Sequence, residues 1–347
     1  MKYRILGSSG LMVSRITLGT MTFGSPDWGC DEGEAHRILA RYLEQGGNAI
    51  DCADVYAGGK SEEIVGTFLP LINRENVVIA SKCYFPSGQG PNHFGLSRKH
   101  LVASCEASLR RLRTDYIDLY YLHGPDPVTS LEETLRALED LLRQGKIRYL
   151  GCSNLFGWQI AKIQGITARW NMQGLVAGQY IYSLIHRELE REIIPSAVDH
   201  GVGLVCYSPL GGGLLSGKYK AMTRPPEGTR LCFRAQVDGP RFWHAHGLQV
   251  ADTVEAVSLR AGIPMTRLAI AWPLQRRFVS SVIIGARTVQ QLEENLVPGD
   301  WDMPQDIWNL LEQQTRPEEE YHTWFNKRNY ERFFGTAEFH DERKELP

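Results

Sequence analysis

Residues 117–145, IDLYYLHGPDPVTSLEETLRALEDLLRQG, begin with a short apolar run and continue into a stretch with helical spacing. The run is nearly all apolar, which is typical of a parallel strand that is covered on both faces. Ser130 is a favourable helix N-cap, and Gly145 stands where a helix would end. Between them one apolar stripe recurs at helical intervals, formed by Leu131, Leu135, Leu138, Leu141 and Leu142. The stretch therefore predicts one strand followed by one helix.

The same strand–helix unit recurs along the chain until there are eight of them. The strand-like runs are residues 16–21, 48–53, 77–82, 117–123, 149–154, 175–180, 203–208 and 281–286. The helical stretches that follow them are residues 31–47, 61–69, 97–112, 130–145, 158–166, 188–201, 250–262 and 288–296. Ser97 and Thr288 are further predicted N-caps. Eight such units in about 300 residues predict a (β/α)₈ TIM barrel, with a doubly wound open sheet as the alternative.

Three segments fall outside this repeat. Residues 2–15 are expected to form a β-hairpin that plugs the bottom of the barrel. Residues 209–246 form a long connection rich in Gly, Pro and Arg, and connections of that length are usually functional or disordered. We expect a single domain over residues 1–347, with the barrel at about 14–298 and a C-terminal extension at 299–347.

Composition excludes several classes of function. Lys and Arg number 38 against 40 Asp and Glu, so a net charge of −2 gives no attraction to nucleic acid or to an anionic membrane. The seven cysteines form no CxxC pair, and the chain begins without a signal-peptide pattern or a long apolar span. We expect a cytoplasmic protein with free thiols, no membrane partner and no metal, which acts on a small molecule. A homo-oligomer remains open.

Polar side chains follow several of the predicted strands. Asp51 ends the second strand with Tyr56 close behind it, Lys82 ends the third, and His123 ends the fourth. Each residue alone has an ordinary structural explanation, such as a turn cap or a satisfied histidine. In a barrel, however, the carboxyl ends of all the strands meet at one mouth, where the active sites of barrel enzymes lie. The four residues therefore predict a catalytic site.

These residue types suit proton transfer to a carbonyl oxygen. A tyrosine phenol has a pKa near 10, and a nearby Lys⁺ favours its phenolate. A buried Lys⁺ is costly unless a carboxylate pairs with it, which Asp51 can do for Lys82. The hydride must then come from a reduced nicotinamide cofactor, because no side chain can supply it. A Schiff-base enzyme using Lys82 is the alternative, although the neighbouring Asp51 favours a charged lysine.

The sequence resembles the aldo-keto reductases, and it lies close to the branch of channel β-subunit-like and bacterial members. The similarity rests on LGTMTFG (18–24), DxADVYxxGxSEEIVG (51–66), ASLRRLRTDYIDLYYLH (107–123), GCSN (151–154), YSPLGGGLLSGKY (207–219) and GARTVQQLEENL (285–296). The resemblance implies that Tyr56 is the general acid in the reducing direction. It also implies that Lys82, held by Asp51, lowers the pKa of Tyr56, and that His123 orients the carbonyl or assists proton transfer.

The resemblance further implies ligands for NADPH at the barrel mouth. The residues expected at its nicotinamide end are Gly19, Thr20, Met21, Asp51, Ser153, Asn154, Gln179 and Tyr207. Those expected along the pyrophosphate are Ser208, Leu210, Gly212 and Lys218. Those expected at the adenosine 2′-phosphate end are Gly285, Arg287, Gln291, Glu294 and Asn295. Arg287 favours NADPH over NADH, because a guanidinium matches a phosphate monoester.

The substrate is expected to be an aldehyde, a ketone or a sugar-type carbonyl. Its pocket is predicted to be formed by Phe23, Trp28, Tyr56, Phe85 and His123. The alternative function is a cofactor-binding regulatory or scaffold subunit with little turnover, as in channel β-subunits.

Three other segments resemble known binding motifs but do not match them fully. Residues 212–219, GGLLSGKY, have Tyr219 where a P-loop needs Ser or Thr. Residues 211–217 miss the GxGxxG spacing by one position. The HxH at 244–246 lacks a third ligand at metal-binding spacing.

Overall fold

The structure, a computed structural model, describes residues 1–219 and 224–335. Two antiparallel strands, β1 (Tyr3–Ile5) and β2 (Met12–Ser14), precede eight parallel strands that close into a barrel in chain order. The barrel strands are β3 (Ile16–Gly19), β4 (Ala49–Asp51), β5 (Val78–Cys83), β6 (Ile117–Leu122), β7 (Ile147–Ser153), β8 (Leu175–Ile181), β9 (Gly203–Tyr207) and β10 (Val279–Ile284). Strand β10 pairs with both β9 and β3, which closes the sheet. The predicted (β/α)₈ TIM barrel is confirmed.

Helices surround the barrel. They are α1 (Glu32–Glu44), α2 (Lys60–Phe68), α3 (Arg98–Leu112), α4 (Leu131–Arg143), α5 (Gly157–Arg169), α6 (Ile193–Asp199), α7 (Arg230–Phe233), α8 (Ala235–Phe242), α9 (Ala245–Ala261), α10 (Met265–Leu274), α11 (Val289–Leu296), α12 (Gln305–Gln314) and α13 (Tyr321–Phe334). The side chains of Ser97, Ser130 and Thr288 each accept a hydrogen bond from the backbone amide three residues on. These predicted N-caps are therefore confirmed.

The N-terminal hairpin closes one end of the barrel. Leu6 and Val13 are buried with Ala49, Val78 and Val176, which lie at or near the starts of their strands. Burial of these apolar side chains stabilises the hairpin against the barrel floor. The predicted plug is confirmed, and the opposite, carboxyl end of the strands is left for a site.

Two parts of the chain are more helical than the sequence pattern predicts. The connection after β9 contains a 3₁₀ segment (Gly211–Ser216) and the short helices α7 and α8. Helix α10 is also absent from the predicted elements, because the side chains from Leu268 to Leu274 are all buried. A helix that is apolar on every side shows no amphipathic period.

The described part of the C-terminal extension contains α12, which packs against α9, and α13. The aromatic side chains of α13 are largely exposed, including Tyr321, Trp324 and Phe325. Among the helices of the described residues, none has the length and apolar character needed to span a bilayer.

Candidate active site

The four predicted catalytic residues meet at the carboxyl end of the barrel. The Lys82 ammonium donates hydrogen bonds to Asp51 Oδ1 at 2.6 Å and to Tyr56 Oη at 3.1 Å. The Tyr56 and His123 rings lie edge to face, with their centroids 6.1 Å apart. The residues come from β4, the turn after it, β5 and the end of β6, so parallel pairing of adjacent strands brings them together.

The third proton of the Lys82 ammonium is also committed, because it is donated to the backbone oxygen of Cys52 at 2.6 Å. A lysine ammonium has three donors and no acceptor, so Tyr56 Oη is the acceptor in its contact with Lys82. The phenolic proton of Tyr56 must then point elsewhere. Since Tyr56 lines the cavity described below, that proton is available to a ligand.

Burial and charge set the protonation states of this group. Burial alone would lower the pKa of Lys82, but the charge of Asp51 and the contacts with Tyr56 outweigh burial and raise it. Burial raises the pKa of Tyr56 above its ordinary value, with the Lys82 charge opposing that rise. Lys82 therefore lowers the pKa of Tyr56 in the expected direction, but desolvation of the phenolate is the larger effect and keeps that pKa above its ordinary value.

His123 is neutral in this setting. Burial, with a smaller contribution from the Lys82 charge, lowers the pKa of His123 well below its ordinary value. Its Nδ1 atom is buried without a hydrogen-bond partner among the described residues. The Phe85 ring packs edge to face against the imidazole at a centroid distance of 4.9 Å. A neutral imidazole can accept a hydrogen bond from a small ligand or donate one to it.

A cavity of about 760 Å³ opens above these residues. Its volume is in the range typical of small-molecule and cofactor sites. The predicted residues along its wall are Gly19, Met21, Trp28, Asp51, Tyr56, Phe85, His123, Ser153, Asn154, Gln179, Tyr207, Ser208, Leu210, Gly212, Lys218, Gly285, Arg287, Gln291, Glu294 and Asn295. One continuous cavity therefore connects the catalytic group with almost every residue expected to bind the cofactor.

Amide and hydroxyl groups form the cavity wall beside the catalytic group. Asn154 Nδ2 donates to the backbone oxygen of His123 at 3.2 Å, and Asn154 Oδ1 accepts from Tyr207 Oη at 2.9 Å. Asn154 and Ser208 both have positive φ angles of 59° directly after their strands. Left-handed backbone at a non-glycine residue is strained and is concentrated at functional sites.

The far end of the cavity is cationic. Burial lowers the pKa of Lys218, and the nearby charges of Arg287 and Arg230 lower it further. The Arg287 guanidinium has no carboxylate partner among the described residues, while its backbone amide donates to Gln291 Oε1 at 3.0 Å. At Gly285 an added Cβ would meet only the Thr22 side chain, at 3.9 Å, so the main chain there faces open space. Cations beside exposed backbone suit a phosphate-bearing cofactor.

Three predicted residues do not line this cavity, and one of them, Lys82, is fully buried in contact with Asp51 and Tyr56. Phe23 is fully buried in the core between the barrel and its helices, so its expected substrate contact is not seen. Thr20 is also fully buried, where it bonds the backbone oxygen of Asp51. Both positions follow β3, and the fold turns their side chains away from the mouth.

Sequence reasoning missed several cavity residues. The most notable are Arg230, Arg234 and Arg241, which come from the long connection after β9. The only signal was the abundance of arginine in that connection, because an irregular segment gives no periodicity from which to infer a direction.

Neither residue of the HxH pair lines the cavity, and His244 instead caps α9 by accepting from the Gly247 amide. A different group, Asp54, Cys83 and His100, has potential metal-ligand atoms within 4.8 Å of one another. It is buried, and Ser104 donates to Asp54 Oδ2 at 2.7 Å.

Comparison with known proteins agrees with the geometry. Residues 15–314 match the model of the aldo/keto reductase family. An uncharacterized oxidoreductase, YrpG, of Bacillus subtilis is 37% identical over 321 residues, which cover 90% of this chain and 95% of the relative. Versiconal hemiacetal acetate reductase of Aspergillus parasiticus is 36% identical over 316 residues, covering 85% of this chain and 91% of the relative.

A probable voltage-gated potassium channel subunit beta of Arabidopsis thaliana is 36% identical over 307 residues, covering 85% of this chain and 90% of the relative. The relatives thus include both reductases and a channel subunit. With a family model matching most of its length, a closed (β/α)₈ barrel and the four predicted catalytic residues at its mouth, the chain belongs to the aldo/keto reductase family of NAD(P)H-dependent oxidoreductases.

Proposed function

We propose that this protein is an NADPH-dependent carbonyl reductase in which Tyr56 gives the proton to the carbonyl oxygen. The observation that carries the proposal is the Lys82–Tyr56 hydrogen bond of 3.1 Å, which leaves the phenolic proton facing the cavity. The raised pKa of Tyr56 keeps the phenol protonated at neutral pH, as a general acid requires.

The chain's residues divide the chemistry between them. A reduced nicotinamide, when bound, would supply the hydride to the carbonyl carbon. Tyr56 donates its proton to the oxygen as negative charge develops there, and the product is the alcohol. The phenolate left behind is stabilised by Lys82, whose charge Asp51 balances. Neutral His123 lies beside Tyr56 and is placed to hold the carbonyl oxygen.

The cavity residues fit a nicotinamide dinucleotide. Ser153, Asn154 and Gln179 provide amide and hydroxyl groups for the carboxamide next to the catalytic group, and Tyr207 provides a ring. Lys218 would hold the pyrophosphate, and Arg287 with Gln291 would hold the 2′-phosphate. The Arg287 guanidinium, which has no carboxylate partner in the described part of the chain, supports NADPH rather than NADH, because NADH has no phosphate monoester there.

The proposal is tested by measuring turnover of the reduced cofactor with carbonyl substrates. Purified protein is mixed with NADPH or NADH and a panel of aldehydes, ketones and sugars, and loss of reduced cofactor is followed by absorbance. We expect turnover with NADPH and a lower kcat/KM with NADH. Arg287→Ala should reduce kcat/KM for NADPH by about 10- to 100-fold, since a charged hydrogen bond contributes about 1.5–3 kcal/mol. Arg260→Ala, at an exposed position on α9, is the control.

A second candidate is a cofactor-binding regulatory subunit, which the potassium channel relative favours. Tight NADPH binding without turnover of any carbonyl in the panel would support this alternative and contradict the reductase. A Schiff-base role for Lys82 is disfavoured, because the amine is fully buried and its protons are committed to Asp51, Cys52 and Tyr56.

A further inference from the structure

Three arginine side chains, those of Arg230, Arg234 and Arg241, line the cavity and are called the arginine fan. Asp238 Oδ2 accepts from Arg230 Nε at 2.8 Å and from Arg234 Nε at 3.1 Å, and Arg241 approaches Oδ1 at 3.7 Å. Asp238 is fully buried, and all three arginines line the cavity. One carboxylate therefore positions three guanidinium groups, and two positive charges remain in excess.

The contacts leave the ends of these side chains available. Arg230 and Arg234 bind Asp238 through Nε, and no hydrogen bond joins their terminal nitrogens to a described residue. About 29% of the Arg234 side chain and 48% of the Arg241 side chain are exposed. A guanidinium held by Nε can still present its terminal N–H groups to an anion in a bidentate manner.

The three arginines of the fan have different neighbours along the cavity wall. Burial, the Arg287 charge and, to a smaller extent, the Arg230 charge lower the pKa of Lys218. Arg230 therefore lies near Lys218, at the cationic end of the cavity. Arg234 lies over the Trp28 ring at 5.3 Å, and Arg230 lies over the same ring at 5.8 Å. Burial raises the pKa of Tyr207, and Arg241 is close enough to oppose that rise. Arg234 thus lies beside Trp28, which is expected to contact the substrate. Arg241 lies near Tyr207, which is expected at the nicotinamide, where the substrate carbonyl must also bind.

We propose that Arg234 and Arg241, positioned by Asp238, bind an anionic group of the substrate, so that the preferred substrate is a small aldehyde or ketone bearing a carboxylate or a phosphate. The inference rests on the proposed carbonyl reduction and narrows its substrate class. Of the two acidic side chains on the cavity wall, Asp51 is paired with Lys82, so Glu294 alone opposes the positive charge of the arginines.

The experiment compares matched substrate pairs with full-length protein and NADPH. The pairs are succinic semialdehyde with butanal, and glycolaldehyde phosphate with glycolaldehyde. We expect kcat/KM for at least one anionic member to exceed that of its neutral partner by about tenfold or more, which corresponds to one charged hydrogen bond. The pair in which the anionic member is preferred shows whether the arginines bind a carboxylate or a phosphate. Added salt should reduce the preference by screening.

Variants then assign the preference to the fan. Arg234→Gln/Arg241→Gln should bring the ratio of anionic to neutral kcat/KM close to one, mainly through KM, while Arg234→Lys retains part of the ratio. Arg260→Gln, which removes an exposed charge from α9, should leave the ratio unchanged. Binding of NADPH is measured separately by fluorescence titration.

Three outcomes would overturn the inference. Equal kcat/KM within both pairs would refute an anionic substrate while leaving carbonyl reduction in place. Weaker NADPH binding in Arg234→Gln/Arg241→Gln, with the substrate ratio unchanged, would assign both arginines to the cofactor. Reduction of no carbonyl at all would refute the proposed function itself.

Discussion

Gln179 on β8 donates a hydrogen bond of 2.6 Å to Asp51 Oδ2 on β4, from 128 residues away in the chain. The other oxygen of the same carboxylate accepts from Lys82. A residue expected to bind the cofactor therefore also supports the buried ion pair of the catalytic group. This link crosses the barrel interior and joins the two halves of the site.

Removing that link should cost stability. Gln179→Leu withdraws a donor from a carboxylate that is almost fully buried, and we expect a loss of about 1.5–3 kcal/mol in the free energy of unfolding. Urea unfolding measures the change. Gln290→Leu, at an exposed site on α11, should alter stability by no more than about 0.5 kcal/mol. Equal effects of the two substitutions would contradict a specific role for Gln179.

The ion pair itself should behave as a unit. Asp51→Asn leaves the buried Lys82 charge uncompensated, and we expect a loss of about 3–5 kcal/mol in unfolding free energy. Asp51→Asn/Lys82→Met should be less destabilised than Asp51→Asn alone, although it should remain inactive. A double variant at least as unstable as the single variant would show that the two side chains are not energetically coupled.

Tyr56→Phe should remove the proton donor and leave the aromatic ring. We expect kcat for carbonyl reduction to fall by about 10²- to 10⁴-fold, the usual contribution of general acid catalysis. Titration with NADPH should show that the cofactor still binds. Tyr116→Phe, near the opposite end of the barrel before β6, is the matched control and should keep its activity. Undiminished kcat in Tyr56→Phe would refute the proposed mechanism.

The two directions of reaction should respond differently to pH. Because the pKa of Tyr56 is raised, the phenol keeps its proton throughout the neutral range, so reduction should be nearly constant between about pH 6 and pH 9. Oxidation of the alcohol needs the phenolate and should rise with pH by up to about tenfold per unit below the pKa. An inflection near pH 6.5 in reduction would contradict a neutral His123, whose pKa lies well below that value.

Two helical glycines should respond oppositely to alanine. A Cβ at Gly66 in α2 would lie 2.0 Å from the backbone oxygen of Arg111, so Gly66→Ala should destabilise the fold by about 1–3 kcal/mol or more. Gly165 in α5 has open space around it, and Gly165→Ala should stabilise the fold by about 0.5–1 kcal/mol. Thermal unfolding of both variants measures the difference, and a stabilised Gly66→Ala would refute the predicted close packing of α2.

Much of the architecture could be predicted from the sequence because it depends on local patterns. The alternation of apolar runs with stripes such as that of α4 specified the order of strands and helices. Residues at strand ends, such as Lys82 and His123, were predictable as site residues because parallel strands deliver their carboxyl ends to one rim. Helix α10 escaped this reasoning because burial on all sides removes the pattern.

The sequence by itself determined the barrel and which residue types gather at its mouth, because hydrophobic periodicity and strand ends are local properties of the chain. Only the tertiary structure decided that Phe23 turns into the core, that Gln179 bonds Asp51, and that burial outweighs Lys82 in setting the pKa of Tyr56. The same holds for the arginines gathered by Asp238. Each of these depends on distance and desolvation between groups far apart in the chain, and those quantities exist only once the chain has folded.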